Sequence, residues 1–257
     1  MFTIIFSVAL IILAYMTCWF ILAAITKRND VADIAWGLGF IVVVAYLYLT
    51  TSNHSIQFII ITLFTTLWGI RLTTHIYGRF IKKSEDIRYV EMKKDWGVLY
   101  YPRTFLQVFV LQGFFMLLIS TSAIVASQAP ISPLHWLNIV GLLVWIVGFV
   151  FETFGDLQLS QFISKQENKG KLMTSGLWRY TRHPNYFGEV SQWWGIFLLV
   201  ITLPQWYLAI ISPLTISFLI LKVSGIPMLE KKYEGRKDFE IYRQKTNAFF
   251  PWPPKNT

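Results

Sequence analysis

Four stretches of this chain carry no Asp, Glu, Lys or Arg: Met1–Thr26, Ile34–Ile70, Thr104–Phe151 and Val190–Leu221. A helix crosses the hydrocarbon layer of a bilayer in about 20 apolar residues. The three later runs are therefore too long for one crossing each, or contain breaks. Thr50-Thr51-Ser52-Asn53-His54-Ser55 divides the second run, Pro130 and Pro133 the third, and Pro204 the fourth. The pattern predicts an all-α, polytopic membrane protein of seven helices, over roughly 2–25, 31–49, 56–77, 104–128, 134–154, 185–203 and 206–224, with Pro213 kinking the last; six helices plus a re-entrant segment is the competing count. Composition agrees: 54% of the 257 residues are hydrophobic and 14% charged, too little polar surface for a soluble domain of this length. The first segment lacks a basic leader and a small-residue cleavage site, so it reads as a retained anchor.

The placement of charge orients the helices. Of 23 basic residues, 22 fall at 27–28, 79–103, 165–182 and 222–255, and Arg71 lies within the third helix. The alternating turns at 50–55, 128–133 and 203–205 hold none. The positive-inside rule then puts the N-terminus outside and the C-terminus in the cytoplasm, as for a bacterial inner-membrane protein. The net charge of +9 is a consequence of topology, and no nucleic-acid partner is needed to explain it. The chain reads as one domain, 1–257, and as a monomer whose tail 225–257 is too polar to span. Cys18 is the lone cysteine, which excludes an internal disulfide framework. The four histidines are too scattered for metal-ligand spacing.

Ionisable groups within membrane segments are costly. Asp33, Arg71, His75, Glu152, Asp156, His183 and Glu189 all fall in or beside predicted helices, each at the cytoplasmic end. Any one of them could be a helix-end charge reaching water; seven together argue for a polar pocket open to the cytoplasm. Arg71/His75, Glu152/Asp156 and Asn185/Glu189 are each spaced i,i+4, so each pair shares a helix face. Two carboxylates at that spacing call for something that donates hydrogen bonds to both. The densest stretch runs from Ser175 through Arg179, Tyr180, Arg182, His183, Pro184, Asn185 and Tyr186 to Glu189. Pro184 suits the first position of a helix, and that helix end, flanked by arginines, favours an anion. A loop touching lipid phosphates is the plainer reading. No G-x-G-x-x-G motif follows a strand pattern and no Walker loop occurs, so a nucleotide would have to be held by the mouth of the bundle.

Gly176-Leu177-Trp178-Arg179-Tyr180 with His183-Pro184-Asn185-Tyr186-Phe187-Gly188-Glu189 resembles the C-terminal signature of the steroid 5-alpha-reductase superfamily, nearest to its bacterial membrane branch. Asp30–Gly37, Trp68–Leu72, Glu85–Tyr89, Leu111-Gln112-Gly113 and Ser224–Tyr233 extend the resemblance over most of the chain. It implies a seven-helix reductase that uses NADPH to saturate a carbon–carbon double bond conjugated to a carbonyl, with a lipophilic substrate entering from the bilayer and the cofactor from the cytoplasm. Family cofactor positions fall on Asp156, Tyr180, Asn185 and Glu189, with Lys171 where a basic residue is usual and Glu152 where the steroid enzymes carry asparagine. Arg179 and Arg182 are expected at the phosphates, His183 and Tyr186 beside them, and Tyr233 or Arg236 of the tail closing over the nucleotide. The chain departs from the steroid enzymes where they hold the substrate carbonyl. It offers Asp33 in place of a Gln-Glu pair and Trp68 in place of a tyrosine. Asp33, Arg71 and His75 are the catalytic candidates, because a developing oxyanion needs a hydrogen-bond donor; an Asp33–Arg71 ion pair tying two helices is the structural alternative.

Residues Arg182–Gly188 equally resemble the motif of membrane methyltransferases acting on isoprenylcysteine or phospholipid amines, which bind S-adenosylmethionine there. Asn185, Asp156 and Gln112-Gly113 favour the reductase. A non-enzymatic transporter would carry midplane polar groups or a repeated half, and neither is visible.

Overall fold

The computed structural model describes residues 1–52, 54–82 and 84–255. Asn53 of the polar turn and Lys83 of the basic segment 79–103 lie outside the described residues. Every regular element among the described residues is helical. Six helices are long and apolar enough to cross a membrane: Phe2–Thr26, Val31–Thr50, Ile56–Phe80, Ile87–Ile119, Trp136–Ser164 and Trp206–Lys231. The seventh expected crossing, Pro184–Val200, has 17 residues, short of the length a perpendicular crossing takes.

The chain divides into two compact units: Met1–Leu134 with Val200–Ser212, and His135–Leu199 with Pro213–Thr257. In the first unit, α1 (Phe2–Thr26), α2 (Val31–Thr50) and α3 (Ile56–Phe80) are followed by α4 (Ile87–Trp96), α5 (Tyr100–Thr104), a π-turn at Phe105–Val110, α6 (Leu111–Ile119), α7 (Thr121–Gln128) and α10 (Trp206–Ala209). The fourth helix, expected from 104, begins instead at Ile87, because the Asp86 carboxylate caps it by accepting from the Arg88 N–H at 3.0 Å, and it runs on into the apolar stretch. The antiparallel helices α2 and α3 touch at Gly37 and Gly69, where a Cβ on Gly69 would lie 2.8 Å from the Gly37 carbonyl. This contact accounts for both glycine-bearing motifs, and it sets Asp33 level with the Arg71–His75 turn of α3. Trp68 is buried there, its ring 5.3 Å from that of Phe40.

In the second unit, α8 (Trp136–Ser164) and α9 (Pro184–Val200) are also antiparallel, and α11 (Ile211–Phe218), a π-turn at Leu219–Val223, α12 (Ile226–Lys231) and α13 (Lys237–Lys245) follow. The unit boundary falls inside α11 at Pro213, which occupies that helix's first turn, where proline is tolerated. Helix α8 begins in a capping box: the His135 N–H donates to Asn138 Oδ1 at 2.8 Å and the Leu137 N–H to His135 Nδ1. Asn138 also donates to the Leu199 carbonyl at 2.9 Å, fastening the start of α8 to the end of α9. Gly141, Gly148 and Gly155 recur every seven residues, a period that keeps one face of α8 toward its partner. Opposite them lie Gly195, Gly188 and Asn185. Small residues at such a seam let backbones approach closely. Helix α8 extends well past the expected end near 154, because Asp156 and Gln158 both find partners beyond it.

Candidate functional site

The predicted residues form two side-chain clusters, one in each unit. In the first unit, Asp33 accepts a hydrogen bond from Arg88 Nη2 at 3.0 Å and another from the Tyr89 hydroxyl at 2.9 Å. Arg88 also holds Asp86 through Nε at 2.9 Å. One turn away, the Asn29 N–H donates to Glu85 at 2.7 Å and its side-chain amide to the Tyr100 hydroxyl, while Arg28 holds Asp30 with two hydrogen bonds and lies 3.7 Å from the Phe80 ring centre. The start of α2 is thus bound to the segment 85–104. The structure brings Asp33 the 86–89 turn, and with it a tyrosine. Arg71 and His75 sit on α3 at the same end, half-buried. A cavity of about 670 Å³ lies at the other end of this unit, lined by Thr3, Ser7, Thr50, Thr51, Ser127 and Gln128 among others; none of the predicted site residues lines it.

In the second unit, the α8/α9 seam carries two carboxylate–amide pairs. Asn185 Nδ2 donates to Asp156 Oδ1 at 3.0 Å, and Gln192 Nε2 donates to Glu152 Oε2 at 2.5 Å. Glu152 is 2% exposed and Gln192 1%. Gln192 Nε2 also donates to the Gly188 carbonyl at 3.3 Å, while Asn185 Oδ1 and Gln192 Oε1 are buried with no hydrogen-bond partner. Glu189 lies between them on the same face of α9. A buried acceptor without a donor is costly, so this face is built to receive N–H or O–H groups.

The loop 178–183 before α9 has little regular structure and takes its backbone partners from the tail. The Arg182 N–H donates to the Asn247 carbonyl at 2.9 Å, the Trp252 N–H to the Tyr180 carbonyl at 2.9 Å, and Thr181 Oγ1 to the carbonyls of Ala248 and Phe249. The Tyr242 hydroxyl donates to the Trp178 carbonyl, and burial pushes that phenol's pKa up. The Trp178 indole N–H donates to the Gly155 carbonyl at 3.1 Å.

Arg182 is 7% exposed and donates to Glu230 from Nε to Oε1 at 2.9 Å and from Nη2 to Oε2 at 3.2 Å, and to the Thr246 carbonyl from Nη1. Sequence reasoning expected it at a phosphate; the structure engages its guanidinium internally. His183 Nε2 lies 3.0 Å from the same Glu230 carboxylate, its ring stacks on Tyr186, and its Nδ1 is buried without a partner. By contrast Lys171, Arg179 and Tyr180 are exposed. Arg236 donates to the Gly170 carbonyl at 2.9 Å and pairs with Asp238, whose carboxyl it holds below the usual range. Tyr233 packs on Phe239. The tail therefore braces the 165–182 segment beside Lys171.

Three contributors escaped the sequence reading: Gln192, Glu230 and Arg88. Gln192 was detectable, since it lies seven residues after Asn185 and so on the same helix face. Glu230 sits inside the Ser224–Tyr233 motif, but nothing local announces its partners, which lie 47 and 48 residues away in the chain. A family model described as a protein of unknown function (DUF1295) matches residues 19–246. No curated protein and no solved structure matches the chain.

Proposed function

The chain belongs to the family described as protein of unknown function (DUF1295), and we propose that it is an integral-membrane, NADPH-dependent reductase that saturates a carbon–carbon double bond conjugated to a carbonyl in a lipophilic substrate. One observation carries this reading: a seam of acceptors lies beside a helix N-terminus, with exposed cations in the adjoining segment. Asn185 Oδ1 and Gln192 Oε1 are buried and await donors, and a carboxamide or a ribose hydroxyl supplies them. Asp156, Glu152 and Glu189 add carboxylates to that face, which suits the uncharged, donor-bearing end of a dinucleotide and repels its phosphates. Lys171 and Arg179, exposed on the segment before α9, suit the phosphates by their charge. Arg182, His183 and Glu230 hold the loop in shape, and Tyr180, Tyr186, Tyr233 and Arg236 border it. When bound, NADPH supplies a hydride.

In the first unit, Asp33 holds both the Tyr89 hydroxyl and the Arg88 guanidinium. Asp33, with Arg71 and His75 on α3, is the proton-handling set of this proposal. The topology of the basic segments supports a cytoplasmic cofactor side.

Titrating the detergent-purified protein with NADPH, NADH and S-adenosylmethionine tests the reading. Saturable binding of NADPH is expected. Saturable binding of S-adenosylmethionine alone would replace the reductase with a methyltransferase. For the proton-handling set, Asp33→Asn and His75→Gln are expected to lower enone-driven NADPH oxidation by about 10²-fold or more in at least one case, with NADPH still bound. Near-normal turnover in both variants removes the assignment.

A further inference from the structure

Residues 251–255 of the tail have an unusual donor count. Pro251, Pro253 and Pro254 have no N–H. The Trp252 N–H is taken by the Tyr180 carbonyl and the Lys255 N–H by the Lys245 carbonyl, each at 2.9 Å. All five backbone positions therefore lack a free donor. Leaving water costs a peptide group dearly when its N–H loses its partner, and this stretch has none to lose. The large side chains in it and just before it nevertheless point outward: Trp252 is 67% exposed and Phe250 69%. From Ile241 to Lys255 the charges are Arg243, Lys245 and Lys255, with no acidic residue, and all three are exposed.

The depth of this tip follows from α8. Trp178 donates to the Gly155 carbonyl, and the Trp178 carbonyl accepts from Tyr242, so the tail segment that straps loop 178–183, from Tyr242 to Trp252, lies beside Gly155. From Trp136, where α8 starts, to Gly155 the helix rises roughly 30 Å, about the thickness of the hydrocarbon layer. The strap is therefore at the level where hydrocarbon gives way to headgroups. Aromatic rings and cations are the residues that settle in that zone.

We propose that the Phe249–Lys255 tip is an interfacial anchor, with Phe250 and Trp252 seated among the acyl–glycerol boundary and Arg243, Lys245 and Lys255 at anionic lipid phosphates. Through the Trp252–Tyr180 and Asn247–Arg182 backbone bonds it ties loop 178–183 to the bilayer surface. The anchor does not depend on the reductase reading, because it concerns the lipid and no cofactor.

Trypsin releases residues 246–255 as one peptide, which makes the unmodified protein testable. In nanodiscs containing phosphatidylglycerol with a diazirine next to the glycerol backbone, illumination is expected to leave a lipid adduct on this peptide. The yield should fall several-fold in the Phe250→Ser/Trp252→Ser variant. No adduct in the wild type overturns the proposal. As a second measurement, nitroxides at Phe250→Cys and Trp252→Cys in a Cys18→Ser background should be more accessible to oxygen than to a nickel chelate. The reverse is expected at Glu167→Cys, on the exposed turn after α8. An aqueous pattern at 250 and 252 overturns the anchor. So does dipolar broadening between labels, which would mean that a second copy of the chain covers the tip.

Discussion

Replacing Glu230 with alanine is expected to cost about 3–5 kcal/mol of stability, the usual consequence of leaving a buried charge without its partner. Arg182 is 7% exposed and Glu230 17%, so water cannot readily take over the guanidinium. Three segments lose a common fastening. Arg182 stands in the loop before α9, Glu230 is on α12, and Thr246, whose carbonyl also receives the guanidinium, begins the tail strap. His183 loses the carboxylate that holds Nε2. For a chain of this length the loss corresponds to a fall of about 10 °C in Tm, readable by thermal unfolding in detergent. Arg182→Ala is expected to be of similar size. The double variant Arg182→Met/Glu230→Leu should recover much of the deficit, since an apolar pair strands no charge. A Tm within about 2 °C of wild type for Glu230→Ala would show that the carboxylate holds nothing together.

The same cluster shows what a sequence reading can reach. The helices were legible because bilayer crossing demands uncharged length, and charge-free runs show directly in a sequence. Where they failed, the cause was local. Asp86 starts a helix inside a segment that composition alone marks as polar. The helix Pro184–Val200 is shorter than the six spanning helices although its charge-free run, counted past Pro204, is long. At the site, spacing put Glu152 with Asp156 on one helix face and Asn185 with Glu189 on another, because i,i+4 positions on one helix are fixed by geometry; the bond from Asn185 to Asp156 joins two helices and lay beyond it. It could not find Glu152 with Gln192, or Asp33 with Arg88 and Tyr89, since those pairs are made by how separate segments pack. Arg182 shows the limit most plainly. Chemically it is an anion ligand, and only the fold reveals that a carboxylate 48 residues later already occupies it.

The second large effect is expected at Gly188. An alanine Cβ there would stand 2.4 Å from the Glu152 nitrogen and from the Gly148 carbonyl oxygen, and 2.8 Å from the Glu152 Cα. All three are backbone atoms of α8, so no side-chain rotation relieves the overlap and the helices must separate. Overpacking of this kind costs about 1–3 kcal/mol, and more where backbone must move, so Gly188→Ala belongs at or above the top of that range. The functional consequence follows from the same geometry. Asn185 and Gln192 lie on either side of Gly188 along α9, and their bonds to Asp156 and Glu152 span the seam that opens. A separation of about 1 Å takes both beyond useful hydrogen-bond length. The amides are then free to rotate, and the two aligned acceptors are lost together. The expected result is a lower Tm, with NADPH binding lost even at temperatures where the variant remains folded. Gly78→Ala is the control. It lies on α3, where a Cβ would meet nothing within 4 Å, and alanine's higher helix propensity should leave stability unchanged or raise it by up to about 1 kcal/mol. If Gly188→Ala behaves like Gly78→Ala, the helices do not meet at these glycines, and the acceptor seam that they align is not the cofactor face.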